Sequence, residues 1–206
     1  MTALAGFDAP LAGVPSSLHC SDGSEIPLDT HRWTDPAGGC DEWLLRHCTG
    51  PTVDLGCGPG RLLVALGARG VPALGVDGSA VAAGYCRHHG VSMLRTDLFG
   101  PLPDEGSWAH VLLADGNLGI GGDPAGLLLR AARLLSPGGT VLVEVDPRHP
   151  HEWRGTARVS CDDGVSDPLP WAICGSRATI RAAARAGLRV TDVHPGTRVF
   201  LELTRR

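Results

Sequence analysis

The residues best suited to chemistry adjoin a short apolar stretch, Thr52–Leu55, which has the pattern of a buried strand. Asp54 lies near its end, and glycines then occur at alternate positions: Gly56, Gly58 and Gly60. Glycines permit a sharp turn and let a ligand approach the backbone closely. A helical pattern begins at Arg61, and the start of a helix offers unpaired N–H groups. The stretch predicts a cofactor cradle, although similar turns also serve dinucleotides and ordinary tight connections.

Further acidic residues follow the later strands that the sequence predicts. Asp77 ends the apolar segment Ala73–Val76, and Asp97 comes shortly after Ser92–Arg95. Two more carboxylates stand after His110–Ala114 and Thr140–Val145, namely Asp115 and Asp146. In open α/β sheets, ligands bind outside the carboxyl ends of the strands. We therefore expect the functional site at this edge of the sheet.

The elements that must position these groups alternate between strands and helices. Helices are predicted at Arg61–Arg69, at Ala80–His88 after the cap Ser79, at Ala125–Leu135 and at Arg177–Ala186 after the cap Ser176. Ser136–Gly139 is expected to form a turn. The final strands, Leu188–Val193 and Arg198–Thr204, are joined by too short a link for a parallel crossover and must run antiparallel. The predicted fold class is α/β, a doubly wound, mostly parallel sheet finished by a hairpin.

The N-terminal part of the chain has a different character. Residues 1–40 are rich in Pro, Gly, Ser and Asp and show no sustained period. They predict an irregular N-terminal arm, which could close over a ligand as a substrate cap or form a surface tail. Residues 41–206 are expected to form a single domain.

Composition limits the classes of function. The formal net charge of −4 gives no reason to expect nucleic acid or an anionic membrane as a partner. No apolar segment approaches the roughly 18 residues that a membrane span needs. The seven cysteines include no CxxC pair and no zinc-like spacing. Because the chain begins without an export signal, these thiols are expected to be reduced in a cytoplasm.

In these motifs the sequence resembles the class I S-adenosylmethionine-dependent methyltransferases over Thr52–Arg206. The matching features occur in the family's order: Asp54 with its alternating glycines, Asp77, Asp97 and the turn Pro137-Gly138-Gly139. The resemblance implies a Rossmann-like, seven-stranded, mostly parallel sheet with a reversed last strand, formed by residues 41–206. A nicotinamide enzyme is disfavoured, because Leu62 or Leu63 stands where the dinucleotide fingerprint has its last glycine.

The resemblance also implies roles for the cofactor-binding residues. Asp77 would accept hydrogen bonds from the ribose diol of S-adenosylmethionine, or could instead cap a helix. Asp97 and the Leu98 N–H would serve the adenine, unless Asp97 is a solvated loop acid. Asp54 would face the ammonium group, or satisfy N–H groups of its own turn. The other expected cofactor contacts are Gly56, Cys57, Gly58, Gly60, Gly78 and Asp115.

The candidate catalytic residues follow two strands, and a base is needed only if the acceptor must lose a proton. Asp115 and Asn117 open a loop that would face the methyl group, although Asp115 could cap that loop and Asn117 could be a turn residue with positive φ. His149 and His151 are candidate bases because imidazole titrates near neutrality, or they are surface-loop residues. A metal site is not expected, since Pro147 follows Asp146 where metal-dependent members have an Asp-Asn pair.

The expected function is methyl transfer from S-adenosylmethionine to a small-molecule acceptor, on an O, N or C atom. The chain would be a monomer or homodimer with no appended recognition domain. One alternative uses the same cofactor for aminocarboxypropyl transfer or cyclisation. Another is a non-catalytic partner subunit that retains the fold.

Overall fold

A computed structural model of the protein describes residues 6–148, 152–162 and 164–206. In chain order its helices are α1 (Asp8–Leu11), α2 (Thr30–Thr34), α3 (Asp41–His47), α4 (Arg61–Ala68), α5 (Ala80–His89), α6 (Pro124–Leu134) and α7 (Ser176–Arg185). Its strands are β1 (Ser16–Cys20), β2 (Glu25–Leu28), β3 (Thr52–Leu55), β4 (Ala73–Asp77), β5 (Met93–Arg95), β6 (Trp108–Leu113), β7 (Leu135–Val145), β8 (Glu152–Cys161), β9 (Gly164–Val165), β10 (Leu169–Cys174), β11 (Leu188–His194) and β12 (Val199–Arg205).

The larger sheet has seven strands in the order β11-β12-β7-β6-β3-β4-β5. Strands β3 to β7 pair in parallel, and β12 runs antiparallel to both of its neighbours. This arrangement confirms the predicted α/β class, the seven strands and the reversed last strand. Strand β3 is the middle one of the five parallel strands and is fully buried, so the glycine turn that follows it opens at the centre of their carboxyl edge.

The segment Ser136–Gly139 differs from the turn that the sequence predicts. It lies within β7 as an irregularity, where the register passes from Leu135 opposite Trp108 to Thr140 opposite His110. Gly138 has a φ of +80°, and a Cβ on Gly139 would lie 2.9 Å from the Ala109 carbonyl oxygen. The glycines thus form a bulge between two paired parts of one strand.

The N-terminal segment is not irregular, and that expectation was wrong. Strands β1 and β2 form a hairpin, and β1 pairs with β8 in a second, antiparallel sheet of order β10-β8-β1-β2. Leu18 of β1 lies opposite Val159 of β8, and both side chains are buried. The pairing partner is far away in the sequence, so a local period could not indicate this strand. We call this second sheet the cap sheet.

Of two helix caps predicted from the sequence, the structure confirms the one at α5 and contradicts the one at α7. Ser79 caps α5, since its hydroxyl accepts a hydrogen bond from the Ala82 N–H at 3.1 Å. Ser176 was wrongly predicted as a cap. It is the first residue of α7, and the extended Gly175 occupies the cap position without a side chain to contribute.

One hydrophobic core joins the two sheets. Leu18 and Trp171 of the cap sheet belong to the same buried cluster as Leu55 and Val143 of the larger sheet. The cap sheet is therefore packed onto the carboxyl edge of the larger sheet as part of the same domain. The helices in the described part of the chain are too short or too polar to span a bilayer.

The docking of the cap sheet yields a stability prediction. Leu18→Ala should lower the free energy of unfolding by about 2–5 kcal/mol, because Leu18 is 2% exposed and its removal leaves a cavity between the sheets. Urea denaturation followed by circular dichroism measures the change. Val165→Ala is the matched control, since Val165 is 61% exposed and should change stability by less than about 0.5 kcal/mol. Equal effects of the two substitutions would contradict the docking.

Candidate cofactor-binding site

A cavity of about 500 Å³ lies at the carboxyl edge of the larger sheet. Its floor is the glycine turn after β3 and the loop that follows β6, and its roof comes from the N-terminal segment and β10. The expected site residues that line it are Asp54, Gly56, Cys57, Gly58, Asp77, Asp115 and Asn117. This volume and this mixture of apolar walls with a few polar groups are typical of small-molecule sites.

The glycine turn adopts a backbone that other residues rarely adopt. Gly56, Gly58 and Gly60 have φ angles of +79°, +51° and +86°. A Cβ on Gly56 would lie 2.8 Å from the Asn117 side chain. Glycine at these positions therefore serves both the turn and the close approach of the neighbouring loop.

Asp77 braces the glycine turn from the next strand. One carboxylate oxygen accepts from the Gly58 N–H at 3.0 Å and the other from the Ser79 N–H at 2.8 Å. Burial raises the pKa of Asp77, and these N–H groups oppose that shift. Each oxygen keeps a second lone pair, so the group could still accept from a diol in the cavity.

Asp54 is the least satisfied polar group at the site. Its side chain is 2% exposed, and its Oδ1 has no hydrogen-bond partner among the described residues. Burial raises the pKa of Asp54 to about 7, assisted by the negative charge of Asp115 and opposed by Arg61. A buried carboxyl oxygen without a partner lacks a donor, and the ammonium group expected here would supply one. The residues present thus fit the cofactor that the motifs imply.

Cys57 has a packing explanation. The Cys57 sulfur packs against Gly75 so closely that a Cβ on Gly75 would lie only 2.5 Å from it. The thiol also donates a weak hydrogen bond to the Gly58 carbonyl at 3.7 Å. The Cys86 thiol reaches the same carbonyl at 3.5 Å. A small apolar side chain fits this position beneath the turn.

A buried ion-pair network underlies the site. Arg61 donates to Asp41 and, at 2.7 Å, to Asp115. Arg198 donates to the same two carboxylates and binds Glu144 through two hydrogen bonds of 2.6 and 2.7 Å. The side chains of Asp41 and Arg61 are 5% and 6% exposed. The positive charges hold the pKa of Asp41 below its usual value despite its burial.

Asp115 and Asn117 line the cavity, but the polar atoms of both side chains contact other groups of the protein. Such contacts are typical of residues that position their surroundings. Asp115 pairs with three guanidinium groups, including Arg32 at 3.0 Å, and its backbone N–H donates to Glu144 at 2.7 Å. The Asn117 amide nitrogen donates to the carbonyls of Leu55 and Gly56 at 3.1 and 2.8 Å. Positive φ occurs at Asp115 and Gly116, so the suggestion that Asn117 supplies it was wrong.

Other expected residues lie away from the cavity wall. Gly60 begins helix α4, and the Gly78 carbonyl accepts from Arg95 at 3.3 Å. Asp97 is exposed and accepts from the Phe99 N–H at 3.0 Å, while Leu98 is buried. Their roles in adenine binding stay predictions. The candidate bases His149 and His151 lie outside the described residues.

The sequence patterns did not indicate the partners of Asp115. For Arg61, the available signal was its position as the first residue after the glycines. Arg198 has no such signal, because it lies 83 residues from Asp115 in the chain. Arg32 lies in the segment that was expected to be irregular.

Comparisons with known proteins agree with this geometry. Residues 53–143 match the family model described as a methyltransferase domain. A ubiquinone biosynthesis O-methyltransferase from Methylococcus capsulatus is 30% identical over 148 residues, covering 61% of this chain and 61% of that protein. The chain thus spans less than two thirds of the length of this curated relative.

Solved structures share the fold. An S-adenosylmethionine-dependent methyltransferase from Bacteroides fragilis, in complex with S-adenosylhomocysteine, has a TM-score of 0.79 at 17% identity, covering 100% of this chain and 96% of that one. The sugar N-methyltransferase KedS8 from Streptoalloteichus has a TM-score of 0.57 at 16% identity, covering 80% and 86%.

The fold and the glycine turn at its carboxyl edge define the class, a Rossmann-like α/β domain with a cavity of small-molecule size. Within that class, residues 53–143 match a methyltransferase domain, and the chain shares its fold with a solved S-adenosylmethionine-dependent methyltransferase. The resemblance noted in the sequence is confirmed.

The raised pKa of Asp54 predicts a pH-dependent stability. Between about pH 4 and pH 7 the folded, cofactor-free protein holds a proton that the unfolded chain releases, so stability should fall as pH rises through this range. Asp54→Asn cannot ionise and should reduce this loss by about 2–4 kcal/mol. Urea denaturation at pH 5 to 8.5 measures it. Asp192→Asn, in the exposed hairpin, should follow the wild-type curve. A wild-type curve parallel to that of Asp54→Asn would refute the shift.

Proposed function

We propose that the protein transfers a methyl group from S-adenosylmethionine to a small-molecule acceptor. The observation that carries the proposal is Asp54, a buried carboxyl with an unpartnered oxygen, beside a glycine turn that leaves room for a ligand. An ammonium group at Asp54 and a ribose diol at Asp77 would satisfy both carboxylates.

The chain's own residues would act mainly by positioning. The cofactor, when bound, supplies a methyl group activated by a sulfonium, and transfer is an in-line displacement. The glycine turn, braced by Asp77 and by the Asn117 amide, would fix the donor. Such fixing of reactants can supply about 7–11 kcal/mol of the barrier reduction.

Asp115 would orient its surroundings rather than remove a proton. Both oxygens of its carboxylate are engaged in ion pairs with Arg32, Arg61 and Arg198, so they are occupied by donors of the protein itself. A base, where the acceptor needs one, would then have to be another group, and His149 and His151 stay the candidates for it. An amine or an already ionised acceptor would need none.

A small-molecule acceptor is supported by the enclosure of the cavity. The cap sheet and α1 cover the carboxyl edge, so a large substrate would have to displace them. The names of two similar proteins, a ubiquinone biosynthesis O-methyltransferase and a sugar N-methyltransferase, agree with a small-molecule acceptor.

Calorimetry with S-adenosylmethionine tests the proposal. Wild-type protein should bind the cofactor, and Asp77→Ala should weaken binding about 10- to 100-fold, because two charge-assisted hydrogen bonds are lost. Asp192→Ala, which changes an exposed carboxylate outside the cavity, should bind like the wild type. Circular dichroism of both variants verifies folding.

Three results would overturn the proposal. The first is a wild-type protein that does not bind the cofactor, and the second is an Asp77→Ala variant that binds it equally well. The third is turnover that releases methylthioadenosine in place of S-adenosylhomocysteine, which would indicate aminocarboxypropyl transfer.

A further inference from the structure

Arg32, at the roof of the cavity, is a cation with unused donors. It lies in helix α2 and lines the cavity, with its side chain 32% exposed. Its Nη2 is 3.0 Å from Asp115 Oδ1, and its Nη1 is 3.8 Å from Asp29 Oδ2. Its Nε is buried without a hydrogen-bond partner among the described residues. A guanidinium carries five N–H donors, so Arg32 keeps donors that its two carboxylate neighbours do not use, the buried Nε–H among them.

The neighbouring arginines are satisfied. Arg61 donates to two carboxylates through separate nitrogens, and Arg198 donates to three through all of its nitrogens. Both side chains are nearly buried, at 6% and 11% exposed. Arg148 also lines the cavity, but it pairs with Asp146 and its side chain is 66% exposed. Among the described arginines of the cavity wall, Arg32 is therefore the one with a buried donor that has no hydrogen-bond partner.

The surroundings of Arg32 are apolar and aromatic. The same N-terminal segment contributes Ile26, Leu28 and Trp33 to the cavity wall, and β10 contributes Trp171 and Ile173. These residues come from the cap sheet or the helix beside it, and none belongs to the glycine turn. A cation beside ring surfaces in a partly dry pocket binds an anion more strongly than one in water.

Arg32 comes from the cap side of the cavity and not from the glycine turn. It lies in helix α2 and contacts Asp115 Oδ1, whereas Arg61 directly follows the glycines and contacts Oδ2 of the same carboxylate. The start of the eight-residue helix α4 would offer its N–H groups to the carboxylate of the proposed cofactor. An anion at Arg32 would therefore come from the second ligand.

We propose that Arg32 binds a carboxylate of the methyl acceptor, and that the acceptor is a small aromatic acid whose ring lies against the apolar wall near Trp33 and Trp171. The inference rests on the proposed function and deepens it by naming the substrate class. A carboxylate matches the planar fork of a guanidinium through two parallel hydrogen bonds. Arg32 is then a specificity-determining residue of the acceptor pocket.

The test measures binding of paired probes to the protein saturated with S-adenosylhomocysteine. Calorimetry with benzoate, 4-hydroxybenzoate and indole-3-carboxylate, each against its amide, should show at least one acid binding tenfold or more tightly than its amide. Arg32→Gln should abolish this preference, and Arg32→Lys should retain part of it, because the charge stays and the fork is lost. Arg154→Gln should keep the wild-type preference. Arg154 is also 32% exposed and ion-paired, but lies outside the cavity wall.

Several outcomes would overturn the inference. In the first, none of the acids binds more tightly than its amide. In the second, the Arg32→Gln variant keeps the wild-type preference for the acid over the amide. If Arg32→Gln instead weakens binding of S-adenosylmethionine tenfold while the acids still bind, Arg32 serves the cofactor's carboxylate. Failure of the proposed function gives a different result, because the wild-type protein would then not bind S-adenosylmethionine. In that case the binding of each acid and its amide can still be compared on the cofactor-free protein.

Discussion

The buried pairing of Arg61 and Arg198 with Asp41 and Asp115 is the interaction on which the site depends. It joins helix α3, the start of α4, the end of β6 and the last strand β12. Removing one partner of such a pair leaves an uncompensated buried charge, at a cost of about 3–5 kcal/mol. The elements must therefore assemble together, and their assembly fixes the floor of the cavity.

The glycine turn is held between two polar supports that follow from this arrangement. Asp77 binds the Gly58 N–H from one neighbouring strand, and the Asn117 amide binds the Gly56 carbonyl from the other side. Asn117 can reach the turn because its loop begins at Asp115, which the ion pairs anchor. Between these supports, Asp54 Oδ1 has no hydrogen-bond partner among the described residues, and the ammonium group of the proposed cofactor would donate to it.

The cap sheet converts an open sheet edge into an enclosed pocket. Strand β1 pairs with β8, so the N-terminal segment and the insertion after β7 form one structure. This pairing brings Arg32 and Trp33 over the edge, where Arg32 meets Asp115. The proposed acceptor pocket is thus lined by segments outside the predicted cofactor-binding motifs.

The sequence by itself determined the parallel sheet, its reversed last strand and the cofactor cradle. These follow from local patterns, such as the glycines after Asp54, the acid Asp77 at a strand end and the short link before β12. Only the tertiary structure decided the cap sheet and the partners of Asp115. Strand β1 pairs with residues about 140 positions away, and Asp41 meets Arg198 across 157 positions. Such contacts leave no local period, because they depend on how the whole chain closes, and the roles of Arg32 and Arg198 arise from that closure.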